Sequence, residues 1–334
     1  MHALVTGAGG FLGLYIVEQL VARGDRVRGF CRGEYPELRR LGVEVVQGDL
    51  RDRERVVSTC EGIDAVFHVG GLSGIWGPWK QFHDVNTIGT ENVIEGCRQH
   101  GVSRLVYTSS PSVTFDGRDQ CGVDESAPYS RRWLCNYPRS KALAEQAVLA
   151  AIGSGGLHTC ALRPHLIWGP RDRHLIPRLL ERARAGQLRR VGDGRNLIDM
   201  TYVENAAAAH LQAADSLRPG SPVGGRAYFV SQGEPVNCWD WIGEILAHAG
   251  LPPVKGSIST QLAWSAGAVL EVFHHLFRPR TEPRMTRFLA AQLGRSHYFD
   301  IQRARDDFGY SPAISTAEGM RRLTESLQSP AAPV

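Results

Sequence analysis

A cluster of glycines directly after a short apolar strand sets the strongest limit on how this chain can fold. Ala3-Leu4-Val5 leads into Thr6-Gly7-Ala8-Gly9-Gly10-Phe11-Leu12-Gly13, and apolar positions 12, 16, 17 and 20 then recur at helical spacing from Phe11 to Ala22. A strand that turns on glycine into a helix leaves bare backbone where a pyrophosphate can lie against the helix N–H groups. Gly7, Gly10 and Gly13, with Phe11 and Leu12 between them, are therefore candidate dinucleotide-binding residues.

The next 150 or so residues alternate β-branched runs with amphipathic stretches: Arg26 to Cys31, Val43 to Gln47, Ala65-Val66-Phe67, Leu105-Val106-Tyr107 and Thr159 to Leu162. That alternation predicts βαβ units, hence an α/β fold with a doubly wound parallel sheet of the Rossmann type. After residue 165 the pattern loosens, with Ile198 to Val203 and Ala227 to Val230 as segments that could return to the sheet. The expected division is a dinucleotide domain, 1–165 plus about 196–232, and a smaller, discontinuous substrate lobe, about 166–195 and 233–328. The tail at 329–334 is expected to be mobile.

Composition removes several function classes. Hydrophobic residues make up 43% of the 334 and charged residues 22%, enough for a sizeable core and too balanced for a disordered or fibrous chain. Net charge is only +4 and the basic residues are dispersed, which argues against a nucleic-acid binder. Seven cysteines, odd in number and without a Cys-x-x-Cys pair, suggest reduced thiols in a cytoplasmic protein and no metal site. The chain opens straight into its first strand, so no cleaved leader is expected. The longest apolar stretch, Leu262 to Phe277, is broken by Ser265, Glu271, His274 and His275, so no membrane span is predicted.

The end of the second strand reads Phe30-Cys31-Arg32-Gly33. An acidic residue there would hold a ribose 2′-hydroxyl and repel a 2′-phosphate, whereas Arg32 can pair with the phosphate, which favours NADP(H) over NAD(H). A solvated Arg32 is the plainer alternative. Asp25 lies at the opposite end of that strand and is not a displaced ribose ligand. Gly48-Asp49-Leu50 ends the third strand, placing Asp49 either beside the adenine amino group or at a helix N-cap.

The chemistry is carried by Tyr137-Pro138-Arg139-Ser140-Lys141, with Thr108-Ser109-Ser110 upstream at a strand end. Four-residue spacing at a helix start puts Tyr137 and Lys141 on one face, where an ammonium would lower the phenol's pKa toward working pH. Pro138 predicts a helix that begins at Pro138, with Tyr137 just ahead of the first turn. Tyr-x-x-x-Lys alone is common on solvated helices; its strength here comes from pairing with the glycine loop and the serine pair.

Together these motifs resemble the extended short-chain dehydrogenase/reductase family, through TGAGGFLG at 6–13, GDL at 48–50, YTSS at 107–110, YPRSK at 137–141 and LRPHLIWGP at 162–170. Phe308-Gly309-Tyr310-Ser311-Pro312, followed by Glu318-Gly319-Met320, is similar to its C-terminal signature. The resemblance implies that Ser110 orients the carbonyl, Tyr137 donates the proton, and Lys141 tunes Tyr137 and holds the nicotinamide ribose. It prefers Ser110 to Ser109 because Ser110 lies three residues before Val113. It also implies that Leu50 lines the cofactor groove, that Pro164 and Leu166 flank the nicotinamide, and that Asn86 supports the scaffold. A homodimer through helices near Phe82 to His100 and Pro138 to Ala151 is the family's habit.

Departures narrow the branch. Dehydratases of the family carry an Asp-Glu pair where this chain has Ser110-Pro111-Ser112, and sugar-nucleotide epimerases carry an Arg-Tyr-x-Asn-like segment where it has Arg163-Pro164-His165-Leu166. Leu-Arg-Pro with YTSSPSV resembles the 3β-hydroxysteroid dehydrogenase branch. FCRGEYPELRRLGVEVVQGDL, LRPHLIWGP and EPRMTRFLAAQL resemble the 2-alkyl-3-ketoalkanoate (β-keto acid) reductases of bacterial olefin and β-lactone biosynthesis. The implied reaction is NADPH-dependent reduction of the 3-keto group of a long-chain 2-alkyl-3-ketoalkanoate. A 3β-hydroxysteroid or sterol dehydrogenase and a non-catalytic NADP(H)-binding sensor are the competing readings.

A long-chain keto acid needs an apolar tunnel with one cation at its carboxylate end. Leu262 to Leu289 offers Leu262, Trp264, Val269, Leu270, Val272, Phe273, Leu276, Phe277, Phe288 and Leu289, interleaved with Arg278, Arg280, Arg284 and Arg287. The segment is expected to be a helical lid lining that tunnel, with a plain packing helix and a membrane-surface helix as alternatives. Trp76, Trp79, Trp133 and Trp168 are further pocket candidates, and His165 is either a substrate contact or a packed histidine.

Overall fold

The computed structural model describes residues 1–328. Seven parallel strands form the central sheet in the order Arg226–Val230, His158–Pro164, Arg104–Thr108, Ala65–His68, His2–Thr6, Arg26–Cys31, Glu44–Gln47. Helices cover both faces, so the inner strands are buried on both sides, as their near-continuous apolar sequences require. The expected doubly wound layout is the one found.

The strand order reverses around His2–Thr6, which pairs with Arg26–Cys31 on one side and Ala65–His68 on the other. Ligands of such sheets sit in the crevice beyond the carboxyl ends of the strands at that reversal. Two bare backbones meet there: a Cβ on Gly7 would stand 2.8 Å from the Gly70 Cα, and Gly7 itself adopts a left-handed φ of 69°. No side chain fits between these loops without moving one of them.

Of the two segments expected to return to the sheet, only one does. Arg226–Val230 is the edge strand beside His158–Pro164. In the 198–203 region, by contrast, Ile198 belongs to a separate four-stranded sheet with Val236–Asn237, His297–Phe299 and Gln120–Val123, while Thr201–Tyr202 pairs with Ile167–Trp168. These pieces are two residues long, too short to span the main sheet. The helix that follows, Val203–Ser216, packs on Phe11–Ala22 and joins the core of the central sheet. A separate apolar cluster around Trp168, Tyr202, Trp239, Trp241 and Ile245 holds the smaller lobe together.

Beside the crevice, a helix runs from Trp79 to Gln99 with a π turn over His83–Ile88. Such turns widen a helix by one residue and frequently mark functional sites. Among the described residues all seven cysteines are free, and no helix is long and apolar enough to cross a membrane.

Candidate active site

The glycine loop fits an anionic dinucleotide. Gly10 caps the helix Phe11–Ala22 with no side-chain hydrogen bond, and no acidic residue lies in the first turn, so its leading N–H groups stand available to a pyrophosphate. Gly13 has to be glycine, since a Cβ there would lie 2.1 Å from the Gly7 carbonyl oxygen. Phe11 is half-buried and Leu12 buried behind the loop. Leu50 is buried against Gly70 and accepts, through its carbonyl, a 2.8 Å bond from the Asn92 side chain. Tyr35, which the motif did not indicate, lays its ring against the bare Cα of Gly9 and near Gly33.

At the adenosine end, Arg32 is exposed and makes no ion pair among the described residues; its field helps hold Asp49 down. Asp49 is pushed down to about 2, chiefly by its paired hydrogen bonds to the Arg51 guanidinium at 2.9 and 2.7 Å. It is not a helix cap: Asp52 caps Arg53–Thr59 by accepting from the Arg55 N–H. Asp25 is engaged elsewhere, with the amino terminus and Arg23.

The serine, tyrosine and lysine converge at the carboxyl end of Arg104–Thr108. Ser110 caps the short Pro111–Thr114 turn, its Oγ 2.8 Å from Ser112 Oγ, and it is the neighbour that lowers the Tyr137 pKa. Ser109 instead is buried, with its N–H on the Leu162 carbonyl at 2.6 Å. Lys141, 5% exposed, donates to the Thr108 carbonyl at 2.5 Å and lies 4.2 Å over the Tyr107 ring.

Two expectations about this helix need correction. It spans Asn136–Ala150 with Cys135 as N-cap, so Tyr137 lies inside the first turn rather than ahead of it. Pro138 is tolerated because the first N–H groups of a helix have no intrahelical partner to lose. Nor does Lys141 depress the phenol: burial pushes Tyr137 up to about 12, with Ser110 the one neighbour pulling it down. Burial also brings Lys141 down to about 7, and its ammonium is directed to the Thr108 carbonyl.

Two buried polar networks hold these groups. Asn86, in the π turn, accepts from the Leu72 N–H at 2.6 Å and donates to the Leu72 carbonyl and to Ser140 Oγ. It thereby ties the loop after Ala65–His68 to the tyrosine helix. Thr90 donates to the Asn86 carbonyl, which leaves it to accept from His68 Nε2; Thr6 then donates to His68 Nδ1 and accepts the Gly70 N–H. The second network joins Glu145, one turn after Lys141, to Arg163 and to the Tyr129 hydroxyl at 2.8 Å. Glu145 is fully buried, and its charge is what opposes the burial penalty on Lys141. Only its spacing from Lys141 was visible in the sequence.

His68 in the first network and His210, buried 2.8 Å from Thr108 Oγ1, are neutral, burial bringing them down to about 3 and about 4. In the unfolded chain a histidine titrates near about 6.5. Below that value the unfolded state binds protons that the fold refuses. Stability is thus full above it and declines as pH falls toward the folded values, by about 1.4 kcal/mol per pH unit for each histidine. Asp199, raised to about 6 by burial, acts in the opposite sense. Urea unfolding of His210→Asn is expected to show a pH slope shallower by about that amount at about pH 5, well below the unfolded value and above the folded one; an unaltered slope would mean that His210 is already charged in the fold.

Pro164 ends its strand, His165 donates its N–H to the Val230 carbonyl, and Leu166 takes a φ of 40°, a conformation a branched side chain adopts only under constraint. His165 is the packed kind: it lies 3.1 Å from His297 Nδ1 and edge-on to Phe299. Trp168 is core, Trp79 stacks near His83 beneath Arg139, and Trp76 donates to the Pro279 carbonyl. The tunnel reading of 262–289 fails for the helix Thr260–Phe277. Leu262, Val269, Val272, Phe273, Leu276 and Phe277 face outward, because Ala263 and Gly267 occupy the packed side.

A glycine cradle at the reversal of a doubly wound sheet, with serine, tyrosine and lysine at the carboxyl end of Arg104–Thr108 one strand further along, defines an NAD(P)-dependent oxidoreductase of the extended short-chain type. Residues 4–259 match the 3-beta hydroxysteroid dehydrogenase/isomerase family, and the chain belongs to it. It is 50% identical to the 2-alkyl-3-oxoalkanoate reductase of Shewanella oneidensis, across 98% of this chain and 86% of that one. To the protein of the same name from Stenotrophomonas maltophilia it is 49% identical, across 98% and 99%. Among solved structures, MoeE5 in complex with UDP-glucose and NAD superposes with a TM-score of 0.74 at 26% identity, covering 98% of each chain.

Proposed function

We propose that this protein reduces the 3-keto group of a long-chain 2-alkyl-3-ketoalkanoate to the 2-alkyl-3-hydroxyalkanoate, with NADPH as reductant. The observation that carries the reading is the near full-length identity of about half to two reductases of that name, on a site that brings Ser110, Tyr137 and Lys141 together. The olefin or β-lactone pathway follows only from the resemblance.

In this reading Gly7, Gly10, Gly13, Phe11 and Leu12 seat the pyrophosphate, and Asp49 and Leu50 border the adenine. Arg32 pairs with the 2′-phosphate, and Pro164 and Leu166 flank the nicotinamide. When bound there, a reduced nicotinamide would supply the hydride for C3. Ser110 Oγ donates to the keto oxygen and fixes its position. Tyr137 delivers its proton as alkoxide charge develops; its high pKa keeps the phenol protonated and ready to donate at neutral pH. Lys141, anchored on the Thr108 carbonyl, would hold the nicotinamide ribose. Residues 1–165 with the helix Val203–Ser216 and the strand Arg226–Val230 form the cofactor domain and the remainder the substrate lobe. A cytoplasmic homodimer through the Trp79–Gln99 and Asn136–Ala150 helices completes the assignment.

The test is oxidation of NADPH and NADH with a 2-alkyl-3-ketoalkanoate, beside reduction of NADP⁺ and NAD⁺ with a 3β-hydroxysteroid. Rapid NADPH loss with the keto acid alone is the expected result; steroid turnover alone would transfer the site to the sterol reading. Arg32→Asp is expected to raise KM for NADPH by tenfold or more, on the order of the loss of one charge-assisted phosphate contact, and to leave NADH nearly unaffected. An unchanged preference would remove Arg32 from the phosphate site.

A further inference from the structure

The helix Thr260–Phe277 is amphipathic in the reverse of the usual sense. Its packed side carries Ala263, Gly267, Glu271 and His274, while Leu262, Val269, Phe273 and Leu276 recur at steps of 7, 4 and 3 on the outer side, flanked by Val272 and Phe277. The outer residues are 44–70% exposed, and they supply six of the ten large apolar side chains that stand exposed among the described residues. An apolar patch gathered on one helix face marks an interaction surface rather than ordinary surface scatter.

Charge identifies what covers it. Arg278, Arg280 and Arg284 follow directly, all exposed and without an ion pair among the described residues. The one carboxylate on the helix, Glu271, is buried and bound to the Arg287 N–H and guanidinium at 2.6 and 2.7 Å. A second copy presenting the same face brings these arginines no negative partner, whereas phosphate headgroups do. Trp76 stands at the rim, its Nε1 3.1 Å from the Pro279 carbonyl and its ring 6.2 Å from His274, as an indole does at a membrane boundary.

We propose that this face docks onto an anionic lipid surface, with the six apolar side chains sunk among the acyl chains and Arg278, Arg280 and Arg284 on the headgroup phosphates. The loop that carries Trp76 is the one Asn86 ties down at Leu72 and Asn136 at Gly77. Docking therefore brings the lipid surface to the loop that borders Lys141, the entry a water-insoluble substrate requires. The surface does not depend on which substrate is reduced: vesicle binding and turnover are separate readouts.

Co-sedimentation with vesicles of phosphatidylcholine mixed with phosphatidylglycerol tests it, beside vesicles of phosphatidylcholine alone. Salt-sensitive binding to the mixed vesicles and weak binding to the neutral ones are expected. The triple variant Arg278→Ser, Arg280→Ser, Arg284→Ser should weaken binding about a hundredfold, each arginine near a charged surface counting about fivefold. Phe273→Asp with Leu276→Asp should abolish it while leaving turnover of a soluble short-chain ketone unchanged, since both residues face outward. Equal binding to the two vesicle types, or none to either, would overturn the proposal. So would a self-association, seen by sedimentation velocity, that the double Asp variant removes.

Discussion

Tyr137→Phe is expected to lower kcat about a thousandfold, the usual range for removing a positioned general acid, while NADPH binding measured by fluorescence stays within a few-fold of wild type. The expectation rests on position: Tyr137 stands in the first turn of the helix whose Lys141 reaches the Thr108 carbonyl, two residues before Ser110. The ring's own packing, edge-on to Phe82 at 6.4 Å, is kept by phenylalanine, so the fold should be unharmed. Turnover within tenfold of wild type would mean that another group supplies the proton.

Glu145→Ala should reduce unfolding free energy by about 3–5 kcal/mol, because it leaves a buried guanidinium without its counter-charge. Arg163 is 3% exposed, and its remaining neighbours are the rings of Tyr129 and Phe229, which cannot replace a carboxylate. Glu145→Gln keeps an acceptor for Arg163 and should lose distinctly less. Urea denaturation of the two variants separates these outcomes; equal, small losses in both would show that the pair adds little. Removing the carboxylate also removes the charge that supports Lys141, so less of that lysine stays protonated near neutral pH.

What could be read from the sequence was whatever local spacing determines. The glycine loop, the central parallel sheet and the four-residue step from Tyr137 to Lys141 all follow from distances of a few residues along the chain. What could not be read depends on which distant groups meet. Lys141 finds the Thr108 carbonyl rather than the phenol, and Glu145 finds Arg163 on a strand 18 residues later. The helix Thr260–Phe277 makes the same point for packing. Periodicity reveals that its apolar residues share a face, but not that the face turns outward. Gly267 decides that, since only a residue without a side chain lets Thr286 approach so closely; a Cβ there would be 2.7 Å from the Thr286 carbonyl carbon.

The π turn at His83–Ile88 makes the site sensitive to chain length as well as to residue identity. One surplus residue in that turn sets the rotational phase of everything on either side of it, and Asn86 spans the gap between Leu72 and Ser140 only in that phase. Deleting a single residue would relax the segment to an ordinary helix and swing Asn86 by roughly a quarter turn, about 100°. A homologue one residue shorter here can keep every motif intact and still lack the clasp. Alignment gaps in this turn therefore carry functional information that substitution patterns do not.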